Sequence, residues 1–148
     1  MKEKSFLRNA VPDDMELIYE WANDDEVRKN SFHTDKITFQ EHKAWYEHKM
    51  KSESTLFYIL MLEDQPAGQI RLELEGDFAQ INYSIAKEFR GRGLGRAMIA
   101  LSEEKLKSEY PHIKKMTAEV KTENSSSQKI FEKSGYEKAY IAYEKVFN

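Results

Sequence analysis

Ala79-Gln80-Ile81-Asn82-Tyr83-Ser84-Ile85, followed four residues later by Arg90-Gly91-Arg92-Gly93-Leu94-Gly95-Arg96, decides the fold of this chain. The first segment alternates apolar and polar residues, the pattern of a half-buried strand. After the second, Leu94, Ala97, Met98, Leu101 and Leu106 recur at helical spacing as far as Glu109, and Pro111 closes the run. Between strand and helix lies a loop of glycines and arginines. Glycine lets such a loop curl and turn its N–H groups inward. The helix start adds unpaired donors and a partial positive charge. Strand, glycine-rich turn and helix together predict a site for a phosphate or pyrophosphate. No Gly-Lys-Ser/Thr closes the loop, so it is not a P-loop, and its third glycine comes one residue early for the dinucleotide fingerprint. The spacing is Arg90-x-x-Gly93-x-Gly95. The plainer alternative is a helix-capping turn with arginines pointing to solvent.

Working outward, Ser5 to Asn9 reads as a strand, and Pro12-Asp13-Asp14 opens a helix carrying Leu17, Ile18 and Trp21. Asn23-Asp24-Asp25-Glu26 ends or bends it. Thr38-Phe39-Gln40-Glu41 reads as a capping box for a helix running to about Met50. Leu56 to Leu62 is a buried strand, Asp64-Gln65-Pro66 a turn, and Ala67 to Leu74 an alternating strand. Gly76-Asp77 turns a hairpin into Phe78 to Ile85. Beyond the glycine-loop helix, Met116 to Val120 is a strand and Asn124 to Lys133 a short helix capped at Gly135. Tyr136 to Phe147 is a last strand, or two very short ones. The order is β-α-α-β-β-β-α-β-α-β, a mixed α+β sheet with helices on its faces.

With 148 residues the chain is one domain, residues 1–148, able to bury a core without staples. There is no cysteine, hence no disulfide frame and no thiolate chemistry, which fits a cytoplasmic location. No apolar run has the length of a membrane span, and Met1 to Ser5 lack the apolar stretch of a signal peptide. A net charge of −3 argues against nucleic acid as a partner. His33, His42, His48 and His112 show no ligand spacing, so no metal is expected.

The loop spacing resembles the acetyl-CoA pyrophosphate loop of the GNAT (Gcn5-related) N-acetyltransferases. Asn124, Ser127, Ile130, Phe131, Gly135 and Tyr136 fit a second pattern of that family, Asn-x-x-Ala-x-x-Leu-Tyr-x-x-x-Gly-Phe, with conservative changes. The element order is also similar. In the N-terminal third, Ile18 to Asp24, Val27-Arg28, Ser31-Phe32, Ile37 and Glu41-His42-x-x-Trp45 resemble the amino-sugar-nucleotide acetyltransferases of pseudaminic acid biosynthesis. Ribosomal-protein N-terminal acetyltransferases share a weaker version of the Trp-x-Asn element.

The resemblance implies a mostly antiparallel sheet of six to seven strands flanked by four helices and splayed between the fourth and fifth strands. It implies acetyl-CoA as co-substrate, with its pantetheine arm lying against the backbone of Tyr83 to Ile85. The N–H groups from Gly91 through Gly93, Leu94 and Gly95 to Arg96 would hold the pyrophosphate, with charge from Arg90, Arg92 and Arg96. Asn124, as helix cap or arm ligand, would contact the arm together with Ser127 and Phe131. Acetyl would pass by direct attack of a primary amine in a ternary complex, with a backbone N–H polarising the thioester carbonyl. Phe131 occupies the position of the family's usual general-acid tyrosine and has no proton to give. The fourth strand offers Gln80, Asn82 and Ser84, none a strong base. Ser84 and Tyr140 are the catalytic side-chain candidates.

For the acceptor, Trp21, Asn23, Arg28, His42 and Glu73 are the candidates. Arg28 would pair with a sugar-nucleotide diphosphate, or else with Asp24 or Asp25; Trp21 and Trp45 would line the pocket or simply fill the core. The acceptor expected is a small-molecule amine, specifically a nucleotide-linked amino sugar. Alternatives are a protein N-terminus, a small free amine, or a GNAT-shaped module that binds acyl-CoA without turnover. The short C-terminus is expected either to form a reduced hairpin or to be completed by the partner of a homodimer.

Overall fold

The computed structural model describes residues 4–147; Met1 to Glu3, part of the segment read above for a leader, lie outside the described residues. The strands are β1 (Ser5–Asn9), β2 (Thr55–Leu62), β3 (Gln65–Glu75), β4 (Phe78–Ile85) and β5 (Lys115–Thr117). The helices are α1 (Met15–Ala22), α2 (Asp25–Asn30), α3 (Phe39–Lys51), α4 (Leu94–Glu109) and α5 (Ser125–Lys133). The sheet has the order β1-β2-β3-β4-β5. The first four strands run antiparallel to their neighbours, and β4 pairs with β5 in parallel. This is the mixed, mostly antiparallel α+β architecture expected from the element order.

Register assigns each residue to a face, because residues directly opposite in neighbouring strands point the same way. Tyr58, Ile70 and Tyr83 are in register, as are Leu56, Leu72 and Ile81. That face buries Leu60, Ile70, Leu72, Met98, Ile99 and Phe131 under α4 and α5. On the opposite face, Phe57 and Ile59 pack with Ile18 of α1 and Tyr46 of α3. Their register partners are polar: Ile59 aligns with Gln69 and Ser84, and Phe57 with Arg71 and Asn82.

Local chemistry sets the helix starts. Thr38 Oγ1 accepts from the Glu41 N–H at 3.2 Å, as a cap should. Asp14 is buried at the foot of α1, where Arg8 donates to both its oxygens at 2.8 and 2.9 Å. The charged run after α1 starts a new helix as well as ending one. Asp24 accepts from the Glu26 and Val27 N–H groups, so five helices form among the described residues instead of four.

Two further expectations need correction. β5 covers Lys115–Thr117, not Met116 to Val120. Tyr136 to Phe147 form no strand, and the sheet has five strands among the described residues rather than six or seven. A strand exists only against a partner edge, and β5 offers three paired residues before diverging. The tail is exposed throughout 137–147, with Tyr143 and Phe147 showing 92% and 86% of their surface.

Candidate functional site

The separation of β4 from β5 builds the site. Their pairing covers Phe78, Ala79 and Gln80 against Lys115, Met116 and Thr117 and goes no further among the described residues. β4 continues to Ile85, leaving a gap beside its second half. Two hydrogen bonds orient that half. Asp77 O, on the β5 side, accepts from Lys114 N at 2.6 Å, while Ala86 N donates to Ala67 O of β3 at 2.8 Å. Backbone polar groups alternate sides along a strand. Ile81, Tyr83 and Ile85 therefore turn their N–H and C=O groups toward the gap. A peptide-like arm could complete the ladder there, and an N–H from Tyr83 would face it.

At the end of the gap lies the glycine loop. Gly91 and Gly93 have φ of +80° and +73°, and Gly93 is the N-cap of α4. Only a residue without a Cβ takes this conformation at little cost. Gly95 is required for another reason. A Cβ there would stand 3.1 Å from Ile130 Cδ1 and 3.4 Å from Tyr83 Cε2, so α4 and α5 meet closely because residue 95 is glycine. Leu94 is buried beneath the loop and anchors it. No Asp or Glu lies in the first turn of α4, so its unpaired N–H groups meet no competing carboxylate there.

The arginines divide their work. Arg90 is tied down, donating to Asp24 at 2.7 Å, Glu26 at 3.1 Å and the Ile85 carbonyl at 3.2 Å. Its charge is met by carboxylates, so it positions the loop. Burial alone would raise the Asp24 carboxyl, but Arg90 and the cap N–H groups hold it below the usual carboxylate range. The guanidinium of Arg92 lies 5.4 Å from the Phe89 ring, and Arg96 is exposed on the first turn of α4. Lys121 Nζ donates to the Lys29 carbonyl at 3.1 Å. α2 is thus fastened at one end to the loop after β4 and at the other to the segment after β5, across the gap.

On the other wall, Asn124 caps α5 by accepting from Ser127 N at 3.2 Å. Ser127 is buried, and its Oγ lies 2.9 Å from the Tyr83 hydroxyl. Phe131 meets the Tyr83 ring edge-on at 5.8 Å and Tyr136 at 5.2 Å. Burial pushes the Tyr83 phenol up from its ordinary value. Ser84 lies on the opposite face, where its Oγ accepts from Gln69 Nε2 at 3.2 Å. Tyr140 is 71% exposed in the tail and donates to Glu119, which also accepts from Gln80.

The acceptor candidates fare differently. Trp21 is half-buried against the α1–α3 core. Asn23 clamps the Ile37 backbone, donating to its carbonyl and accepting from its N–H, both at 2.8 Å. Arg28 donates to the carbonyls of Ala22, His33 and Asp35 and to Ser31 Oγ. It pairs with neither Asp24 nor Asp25, because Asp24 pairs with Arg90 and Asp25 with Lys36. His42 is a core histidine, 2% exposed, donating from Nε2 to the Met15 carbonyl at 2.9 Å among Tyr19, Trp45 and Tyr46. Burial lowers its pKa, keeping it neutral. Glu73 is held by Lys49 at 2.8 Å, Arg71 at 2.9 Å and Thr55 at 2.8 Å. Burial would raise its carboxyl, yet these partners keep it below the ordinary value. Its charge is met by Lys49 and Arg71 within the protein.

Sequence reading missed Gln69. It is 7% exposed, its Nε2 bonds Ser84 and Asn82, and its Oε1 has no partner among the described residues. Gln69 is one of the regular polar positions of an alternating strand, with Arg71 and Glu73, so nothing in the sequence marked it as buried. Arg71, half-buried with its guanidinium 4.9 Å from the Trp45 ring, was missed likewise.

A model of the acetyltransferase (GNAT) domain matches residues 5–137. The chain belongs to the GNAT acetyltransferase family. As a GNAT it is an acetyltransferase that takes acetyl-CoA as donor, and the gap and loop fit that ligand: gap-facing backbone for an amide-bearing arm, and a glycine turn at a helix N-terminus for a pyrophosphate. Solved structures share the fold. A domain from Methanocaldococcus jannaschii is 24% identical, covers 97% of this chain and 94% of its own, and superposes with a TM-score of 0.85. A spermidine N-acetyltransferase from Vibrio cholerae, solved with CoA and spermine, is 19% identical over 97% and 88%, with a TM-score of 0.85. The aminoglycoside acetyltransferase AAC(6')-Ib, solved with ribostamycin and coenzyme A, is 21% identical over 93% and 85%, with a TM-score of 0.81. No curated protein matches the chain in sequence. Among the described residues there is no cluster of His, Asp and Glu suited to a metal ion, and no helix is long and apolar enough to cross a membrane.

Proposed function

We propose that this GNAT transfers acetyl to a primary amine on a sugar, by direct attack within a ternary complex. The observation that carries the reading is the neutral polar array Gln69, Gln80, Asn82 and Ser84 on one face of the sheet beside the gap. Amides and hydroxyls of this kind match sugar hydroxyls. A polyamine would call for several unpaired carboxylates, whereas Glu73, Asp24 and Glu26 are already in ion pairs and Glu119 accepts from Gln80 and Tyr140. AAC(6')-Ib, which shares the fold, was solved with an aminoglycoside.

Acetyl-CoA supplies the activated acyl group. The chain supplies placement: N–H groups of Gly91 to Arg96 and the charges of Arg92 and Arg96 for the pyrophosphate, the Asn124 amide for the arm, and the Tyr83 N–H for the thioester carbonyl. Arg28 is bonded to three main-chain carbonyls and Ser31, so the nucleotide-linked acceptor rests on the N-terminal resemblance. A turnover assay comparing amino-sugar nucleotides, free amino sugars, polyamines and N-terminal peptides decides between them. Faster turnover on peptides or polyamines than on every amino sugar overturns the proposal.

The net charge and the absence of cysteine favour a small-molecule partner and a cytoplasmic setting. We also assign the tail to a homodimer. Tyr140, Ile141, Tyr143, Val146 and Phe147 are exposed, and Tyr140 reaches Glu119 just past the unpaired edge of β5. Sedimentation should show a dimer that removal of residues 140–148 converts to monomer; a monomeric full-length chain overturns this.

A further inference from the structure

The sulfur that departs from a thioester leaves as a thiolate that must be stabilised or protonated, and Phe131 has no proton to give. We propose that the Tyr83 hydroxyl, held by Ser127, is the proton donor to the thiolate in this enzyme. The assignment rests on the acetyl-CoA reading of the gap.

Tyr83 is a residue whose main chain faces the gap, so its phenol hangs from the strand segment that lines the cofactor arm. Its ring contacts Phe131, and its Oη lies 2.9 Å from the Oγ of Ser127, one helical turn before Phe131 on the same face of α5. The phenol therefore stands on the wall to which a tyrosine at position 131 would belong, reached from the opposite side. The hydroxyls of Tyr136, Tyr140 and Ser84 are engaged elsewhere. Tyr136 donates to Glu103 at 3.0 Å, Tyr140 to Glu119, and Ser84 lies across the sheet bonded to Gln69. Burial keeps the Tyr83 phenol protonated through neutral pH, the state a general acid needs.

The step balances. The amine nitrogen forms the C–N bond as the C–S bond breaks; sulfur keeps the electron pair and takes the Tyr83 proton. The phenolate regains a proton through the Ser127 hydroxyl and solvent, in exchange for the proton lost by the attacking nitrogen. The products are the N-acetylated amine and CoA as its thiol.

Tyr83→Phe removes one oxygen and keeps the ring packing. We expect kcat to fall about 100-fold with the KM for acetyl-CoA within about twofold. Adding Phe131→Tyr in the same chain should recover at least a tenth of the wild-type kcat, which a merely structural hydroxyl would not allow. An independent readout is the ultraviolet titration of the CoA thiol in the binary complex. A donor at the sulfur stabilises the thiolate, so the bound thiol should titrate about one pH unit lower in the wild type than in Tyr83→Phe. Ser127→Ala should give an intermediate fall in kcat. Unchanged kcat and an unchanged thiol titration in Tyr83→Phe, with CoA binding intact by calorimetry, overturn the assignment alone. Failure of the wild type to bind CoA overturns the reading beneath it as well.

Discussion

The glycine loop and the helical layer from Trp21 to Trp45 differ in where their information lies. The loop acts through its backbone. Gly91 and Gly93 are left-handed, Gly95 permits contact between helices, and on the proposed function the groups offered to a ligand are main-chain N–H groups. The helical layer acts through side chains, and most of its polar ones already serve the fold. Asn23 holds Ile37, Arg28 holds three carbonyls and Ser31, and His42 holds Met15. A backbone device can be recognised from the few residues able to adopt it. A polar side chain serves a ligand or its own chain equally well, and composition does not say which.

The comparison breaks most sharply at Gly93. Gly93→Val forces a β-branched residue into the left-handed region, a strain of roughly 1–3 kcal/mol, so CoA affinity measured by calorimetry should fall about 10- to 100-fold. Unchanged affinity would mean that the loop is only a turn. Gly95→Val tests the other use of glycine. Its Cβ meets Ile130 and Tyr83, and denaturant titration should show a loss of roughly 1–3 kcal/mol, partly restored by Ile130→Ala. No recovery in the double variant would place the conflict elsewhere.

In the N-terminal half the expected effects are on stability. Asp14→Asn should cost about 2 kcal/mol at neutral pH, because it weakens a two-pronged bond to Arg8 and one to the Val11 N–H. Burial pushes the Asp14 carboxyl up, but these partners bring it below its ordinary value. A depressed folded-state pKa gives stability that is full above the unfolded value of about 3.9 and lost as pH falls through the folded one. Wild type and variant should therefore converge in acid; a gap that stays constant below pH ~3 would rule out this ionic origin. The smallest effect is expected at Glu73. Glu73→Gln should lose about 1 kcal/mol and leave the KM for the amine within about twofold. A large rise in that KM would return Glu73 to the acceptor site.

Much of the fold was legible. β4 runs Phe78–Ile85 and α4 Leu94–Glu109, as their alternation and helical period predict, and Thr38 caps α3. The departures have physical causes. Asp24 could end one helix or cap the next, and it does both because Arg90 holds its carboxylate across 66 positions of sequence. Tyr136 to Phe147 has a strand's composition but no partner within the described chain, and pairing is not a local property.

The sequence by itself determined the glycine-rich turn, the order of elements and the presence of Phe131 where the family pattern has a tyrosine. These depend on the absence of a Cβ, on hydrophobic period and on a missing hydroxyl, all properties of single residues or short runs. Only the tertiary structure decided that Arg90 supports the loop through carboxylates of α2, that Gln69, Asn82 and Ser84 share a face, and that Tyr83 meets Ser127. Those facts rest on which distant side chain completes a hydrogen bond, and that is settled when the sheet and its helices close around them.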